Sequence, residues 1–219
     1  MLGLTTNDLI LKLVNYNFYD WEGESEPQHI YRLGMPQQIL DDLGFPNFYD
    51  SWGYEAVQNI HADLPLLPKH WLTLEQTFFN WLKKAKDILF PNGTSIVTPE
   101  LSTYWLPYEK HPPNWTKKNK WEKPDYDSYV ALLQEAGIIN LEPASLKENL
   151  RGAIVQDYRE FETLGKIAAR NQPLLFFANE DRVIRVTEYL SILIELKEEE
   201  TYRDVQRPLI ETLNPQFLM

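Results

Sequence analysis

The chain of 219 residues contains no cysteine. This absence excludes a disulfide scaffold, a thiol nucleophile and any zinc or iron–sulfur site that depends on cysteine ligands. It also agrees with a reducing compartment, and we expect a cytoplasmic protein. With 43% hydrophobic and 24% charged residues, the composition is typical of a folded soluble protein rather than of a disordered chain.

Long apolar runs are also absent. No segment approaches the ~20 consecutive apolar residues that a transmembrane helix needs. The first residues, from Met1 to Asp8, lack the basic and apolar regions of a signal peptide. We therefore expect no signal peptide and no contact with a membrane.

Positive charge is scarce. The chain has 21 lysines and arginines against 32 aspartates and glutamates, which gives a formal net charge of -11. Binding to nucleic acid depends largely on cationic side chains at phosphates, so this balance argues against a general nucleic-acid binder. Acidic residues occur in both halves of the chain, which favours a solvated acidic surface over a mimic of nucleic acid.

Composition changes near residue 125. All 7 tryptophans and all 4 histidines lie at or before Trp121, together with most of the 15 prolines. We therefore divide the chain into an aromatic-rich lobe, 1–124, and a second lobe, 125–219. The length permits two small domains or one continuous domain.

Helical periodicity dominates the second lobe. A helix is expected at 128–136, and the capping box formed by Ser145 and Glu148 introduces a long amphipathic stripe at 145–171. Another apolar stripe predicts a helix at 183–196, and a last helix is expected at 202–213. Four such helices joined by short loops are typical of an antiparallel bundle.

The first lobe shows weaker patterns. Helices are predicted at 7–14, 37–43 and 73–89, and 95–97 is a candidate short strand. Residues 94–124 otherwise look irregular. We therefore predict a mainly α fold, in which a C-terminal antiparallel helical bundle packs against a helical, aromatic- and proline-rich N-terminal lobe with little or no sheet.

One motif occurs twice in the first lobe. Residues 2–4 (LGL) precede a helical pattern and the aromatic sequence NFYDW at 17–21, while residues 33–35 (LGM) precede another helix and NFYDSW at 47–52. Chance, a paired packing element and a shared binding surface each explain this repeat. Two copies are too few for a solenoid.

An acidic pattern in the second lobe resembles a nuclease motif. Glu195 and Lys197 form an E-x-K at the end of an apolar run, with Asp181 as the upstream acid. This short segment resembles the core of the PD-(D/E)xK nucleases, although Glu180 stands where that motif has proline. The resemblance implies that both acids bind Mg²⁺ and that the lysine assists the attack of water. The expected helix at 183–196 explains the same residues without a metal.

Other catalytic patterns are absent or incomplete. His61, Asp63 and His70 are of the right type for metal ligands, but Pro65 and Pro68 prevent one helix from arranging them. The sequence contains no G-x-S-x-G, H-E-x-x-H or P-loop motif. We therefore expect no metal ion, no cofactor and no catalytic residue.

The segment 104–126 combines aromatic and basic residues, and we select its members as candidate binding residues: Trp105, Tyr108, Trp115, Lys117, Lys118, Lys120 and Trp121. Such a pattern suits an anionic protein surface, a single-stranded nucleic acid or a loop whose rings only fill the core. We expect a non-enzymatic protein-binding module, such as an adaptor, inhibitor or complex subunit. The alternatives are the Mg²⁺-dependent nuclease and a nucleic-acid-binding subunit.

Overall fold

The computed structural model describes residues 1–15, 30–59, 64–93, 95–100, 104–106, 114–139, 150–170, 173–196 and 199–218. The strands are β1 (Leu2–Leu4), β2 (Ile30–Gly34), β3 (Ser95–Pro99), β4 (Gly152–Val155), β5 (Leu175–Ala178), β6 (Arg182–Val186), β7 (Ser191–Leu196) and β8 (Gln216–Leu218). The α-helices are α1 (Thr6–Asn15), α2 (Gln37–Leu43), α3 (Phe48–Ser51), α4 (Glu55–Gln58), α5 (Pro68–Leu82), α6 (Lys86–Leu89), α7 (Lys123–Glu135), α8 (Tyr158–Ala169) and α9 (Glu199–Leu213).

The described strands form one antiparallel sheet of eight, in the order β1-β4-β3-β5-β6-β7-β2-β8. Strands from the two halves of the chain are interleaved in it, because β1 and β3 pair with β4, and β2 lies between β7 and β8. Ile30, for example, is paired with Glu195. The sheet therefore joins the two lobes that composition distinguishes.

Helices cover the sheet unequally. On one face, helices α5, α7, α8 and α9 enclose the main core, in which Phe161, Phe177 and Ile194 have no exposed surface. Successive side chains of a strand point to opposite faces, so Ile96 points to the other face. There it packs against Leu9 of α1. The described structure is a layer of helices, a sheet, and α1 on the outer face.

This sheet contradicts the predicted mainly α fold and its C-terminal helical bundle. Residues 183–196, expected as helix, form the β6–β7 hairpin. In β7, Ile192 and Ile194 are fully buried, whereas Leu193 and Glu195 are half-buried, so burial alternates with the period of a strand. Apolar residues at these positions also fit helical spacing, which explains the error.

A second expected helix, 145–171, is only partly helical. Residues 152–155 form β4, and α8 begins after Asp157, whose carboxylate accepts the backbone N–H groups of Arg159 at 2.8 Å and Glu160 at 3.0 Å. This N-cap, rather than the capping box at Ser145, begins the helix. Ser145 and Glu148 lie outside the described residues.

Several other elements are confirmed. Helix α2 ends at Gly44, which has a φ of 83°, and α7 is followed by Gly137 with a φ of 70°. The expected strand at 95–97 is part of β3, and the expected last helix is α9. In the described chain, no helix has both the length and the apolar character needed to cross a membrane.

Candidate functional site

A cleft of about 330 Å³ opens between α3, α4 and the turn that joins β6 to β7. Aromatic and acidic side chains dominate its walls. The residues that line it, which we call the aromatic–acidic cleft, are Tyr49, Asp50, Ser51, Trp52, Gly53, Glu55, Ala56, Asn59, Glu188 and Tyr189.

Tyr49 fixes one wall of the cleft to the sheet. Its hydroxyl accepts the backbone N–H of Met35 at 2.6 Å and donates to the carbonyl of Leu190 at 3.1 Å. A Cβ atom at Gly34 would lie 2.5 Å from the Tyr49 ring, so only glycine permits this approach. Burial raises the pKa of Tyr49, and the hydroxyl therefore stays protonated and keeps its donor role.

Trp52 forms the next part of the wall. Its indole Nε1 donates to the carbonyl of Leu64 at 3.0 Å. Its ring lies edge-on to Phe45, with centroids 5.6 Å apart, and stacks at 6.4 Å from the buried ring of Phe48. These contacts hold the indole in one orientation while part of its surface stays accessible.

The opposite wall is the β6–β7 turn. The backbone N–H of Tyr54 donates to the carbonyl of Glu188 at 2.9 Å, which joins the turn to α4. Tyr189 is 39% exposed, and its ring lies over Gly53, where an added Cβ would be 2.9 Å from the ring. Leu190 closes the turn with a φ of 50°, a strained conformation for this residue type.

Three carboxylates surround the cleft. Asp50 and Glu55 are exposed and Glu188 is half-buried. Within the described part of the chain, none of them forms an ion pair with lysine or arginine. Among the described residues, no basic side chain lines the cleft. The cleft therefore attracts a cation, and its rings provide faces on which a cation can rest.

A buried ionic network lies behind Tyr54. Arg170 contacts both oxygens of Glu75, with Nε to Oε1 at 3.0 Å and Nη2 to Oε2 at 2.6 Å, and Nη2 also reaches Oδ2 of Asp125 at 2.6 Å. Its guanidinium lies 5.0 Å from the centroid of the Trp121 ring. The Trp121 ring is in turn 6.4 Å from that of Tyr54, so this network connects the neighbourhood of the cleft to the segment 114–122.

The predicted basic residues lie together on a turn beside this network. Lys117, Lys118 and Lys120 are all exposed. Oδ1 of Asn119 accepts both the backbone N–H and the hydroxyl of Thr116, at 2.7 and 3.0 Å. The turn, which we call the lysine turn (residues 116–120), is thus held by its own side chains.

The predicted aromatic residues are more separated. Trp105 has no exposed surface and donates from Nε1 to the carbonyl of Leu150 at 3.1 Å. Trp115 and Trp121 are half-buried, and the Trp115 ring lies edge-on to Tyr126 at 5.4 Å. Tyr108 lies outside the described residues. Of the predicted aromatic residues that the structure describes, Trp115 and Trp121 accompany the lysine turn, and both rings pack largely inward.

The two described acids of the nuclease motif lie near different arginines. Both oxygens of Asp181 accept from the Arg182 guanidinium, at 2.7 and 2.6 Å. Glu195 lies on the outer face of the sheet, where burial raises its pKa and the charge of Arg185 opposes that rise. Lys197 lies outside the described residues. Within the described chain, the hairpin is present, Asp181 forms an ion pair with Arg182, and the charge of Arg185 acts on Glu195.

Among the described residues, no group of three or more histidines and acids is placed to hold a metal ion. His61 and Asp63 lie outside these residues. The ring of His70 packs edge-on against Phe45, with centroids 5.5 Å apart.

No known protein family, curated protein or solved structure matches this chain.

The repeated motif points to part of the cleft. Its second copy, at 47–52, supplies Tyr49, Asp50 and Trp52, whereas the first copy, at 17–21, lies outside the described residues. Neither Glu188 nor Tyr189 is among the binding residues predicted from the sequence. They reach the cleft only because 182–196 is a hairpin, and no glycine, asparagine or proline marks its turn.

Proposed function

We propose that this protein is a non-enzymatic protein-binding module, and that its aromatic–acidic cleft holds a cationic side chain of a partner. The observation that carries the proposal is the combination, in one cleft, of three accessible carboxylates and three aromatic rings, with no basic side chain among the described residues that line it. Carboxylates give long-range attraction, and aromatic rings are common anchors in protein interfaces.

The surroundings of the cleft support a protein partner rather than a free ion. Leu64, which accepts the Trp52 indole N–H, is 51% exposed, and Leu67 is 50% exposed. These apolar groups provide a rim on which the chain next to a cationic residue can pack. The backbone of 64–67 is tied to the cleft, because Leu66 donates to the carbonyl of Ala56 at 3.0 Å.

The lysine turn forms a second contact surface in this proposal. Its three lysines suit acidic residues of the same partner, while the cleft takes the basic residue. A nucleic-acid role for this segment has weaker support, because Trp105 is buried and the other two indoles pack inward.

A direct test uses a short Gly-Ser peptide that contains both lysine and arginine, and follows the indole N–H signal of Trp52 by NMR. A Trp52→Phe variant assigns that signal. We expect the peptide to shift the signal at low salt, and the triple variant Asp50→Asn, Glu55→Gln, Glu188→Gln to bind about tenfold more weakly, since each pair at such a surface contributes about 0.2–1 kcal/mol.

A matched control separates the cleft from the overall charge. The triple variant Glu135→Gln, Glu180→Gln, Asp204→Asn removes the same three charges from exposed positions elsewhere in the described chain. It is expected to bind the peptide like the wild type. Equal weakening by both triple variants, or no shift of the Trp52 signal at all, would contradict the proposed function.

A further inference from the structure

The three acids of the cleft lie on three different elements, and this separation distinguishes one kind of cation from another. Asp50 belongs to α3, Glu55 to α4, and Glu188 to the β6–β7 turn. A lysine ammonium is a compact, strongly hydrated point charge. An arginine guanidinium is a planar group with five N–H donors at its edge, so it can reach carboxylates in several directions at once.

The aromatic rings of the cleft also favour a guanidinium over an ammonium. Trp52 and Tyr189 border the same space as the acids. A guanidinium is weakly hydrated and stacks on a ring with its edge still free to donate hydrogen bonds. Stacking and ion pairing are therefore compatible for an arginine side chain, whereas an ammonium must give up more of its hydration to contact a ring.

The same chain already contains this arrangement in its interior. Arg170 is held by Glu75 of α5 and Asp125 of α7, and its guanidinium lies 5.0 Å from the centroid of the Trp121 ring. On the outer sheet face, Arg185 lies 5.4 Å from the centroid of the Phe176 ring. The cleft likewise combines acids from separate elements with accessible rings, but no arginine occurs among the described residues that line it.

We infer that the aromatic–acidic cleft is an arginine pocket, in which a guanidinium of the partner stacks on the accessible surface of the rings and donates to Asp50, Glu55 and Glu188. This inference rests on the proposed function and specifies its ligand. A volume of about 330 Å³ accommodates one long side chain together with water. The partner segment therefore presents an arginine as its anchor.

Two peptides test the inference. They share one Gly-Ser sequence and differ only in that every cationic residue is arginine in the first and lysine in the second. Binding is followed through the indole N–H signal of Trp52 and by calorimetry. We expect the arginine peptide to bind about tenfold more tightly, because a desolvated stacking contact contributes that much.

The outcomes separate the two proposals. Equal or tighter binding of the lysine peptide would overturn the arginine pocket and leave the protein-binding function intact. Binding of neither peptide would contradict both. A Tyr189→Leu variant provides the second measurement: it keeps an apolar side chain at an exposed turn position but removes the ring. It is expected to weaken binding of the arginine peptide more than binding of the lysine peptide, and an unchanged preference would also overturn the inference.

Discussion

Arg170 and Glu75 lie 95 residues apart in the sequence and form a doubly hydrogen-bonded ion pair in the core. The side chains of both residues are almost completely buried, at 3% and 2% exposure. Trp71 adds a third contact, since its Nε1 donates to Oε1 of Glu75 at 2.9 Å. This pair fixes α5 against the end of α8 and supports the ring of Trp121.

Removing one member of this pair should destabilise the fold strongly. Glu75→Gln leaves the Arg170 guanidinium buried with less compensation, and we expect the free energy of unfolding to fall by about 3–5 kcal/mol in urea denaturation. As a control, Glu211→Gln at the exposed pair with Arg207 should change stability little. A Glu75→Gln protein as stable as the wild type would show that the pair does not support the core.

The acid Glu122 is expected to make stability depend on pH. Burial raises the pKa of Glu122 above its ordinary 4.5, while a hydrogen bond with Tyr54 and the charge of Arg170 oppose the rise. The resulting contribution to stability is fully present below the pKa of the unfolded chain and is lost as the pH rises through the higher folded value.

A neutral substitute for Glu122 tests this sign. Glu122→Gln keeps the side chain uncharged at every pH, so we expect it to be more stable than the wild type at pH values above the raised folded pKa and similar to it below the pKa of the unfolded chain. Thermal unfolding across this pH range measures the difference. Lower stability of the variant at high pH would mean that the carboxylate, rather than the acid, favours the folded state.

The alternation of buried and half-buried side chains along β7 predicts which substitutions destabilise the fold most. Ile194→Ala removes a fully buried side chain and should cost about 2–5 kcal/mol, whereas Leu193→Ala, on the outer face and half-buried, should cost clearly less. Urea denaturation of the two variants provides the comparison. Equal losses in the free energy of unfolding would mean that both side chains are equally buried, which would contradict the position of β7 in this sheet.

Gly53 tests the geometry of the cleft without changing its charge. An added Cβ would lie 2.9 Å from the ring of Tyr189, so Gly53→Ala must displace that ring. We expect weaker binding of an arginine-containing peptide with little change in thermal stability, because Tyr189 is at an exposed turn. Unchanged affinity would indicate that the position of this ring does not matter for binding.

The lysine turn is expected to contribute to association rather than to folding. Replacing Lys117, Lys118 and Lys120 by glutamate should weaken binding of an acidic Gly-Ser-Glu peptide and leave thermal stability near that of the wild type. Trp121→Ala, in contrast, should lower stability, because the ring packs between Arg170 and Tyr54. If the glutamate substitutions left peptide binding unchanged, the turn would have no role in the interface.

Local signals in the sequence predicted the elements whose ends they mark. Helix α2 lies between Pro36 and Gly44, and α7 ends before Gly137, since proline and glycine impose backbone conformations on their own. No comparable signal marks the β6–β7 turn. There Leu190 adopts a positive φ that its residue type disfavours, and the surrounding tertiary contacts must stabilise it.

The cleft also combines one part that a local sequence signal marks with another part that no such signal marks. The repeated motif identifies the wall formed by residues 47–52. From sequence alone, however, both packing and binding explain that motif. The contribution of Glu188 and Tyr189 depends on long-range strand pairing, which determines where the hairpin turn lies. Short-range sequence patterns carry no information on which distant strands pair, so they do not place these two residues at the cleft.

The position of β2 between β7 and β8 also has a kinetic consequence. The carbonyl of Met35, directly after β2, accepts a hydrogen bond from Gln216, which is 181 residues away in the sequence. Chain elongation at roughly 5–20 residues per second leaves β2 without its neighbours for on the order of ten seconds or longer. Such non-local pairing also slows folding itself. During synthesis, the apolar side chains of β2 are therefore available to molecular chaperones long before the sheet can enclose them.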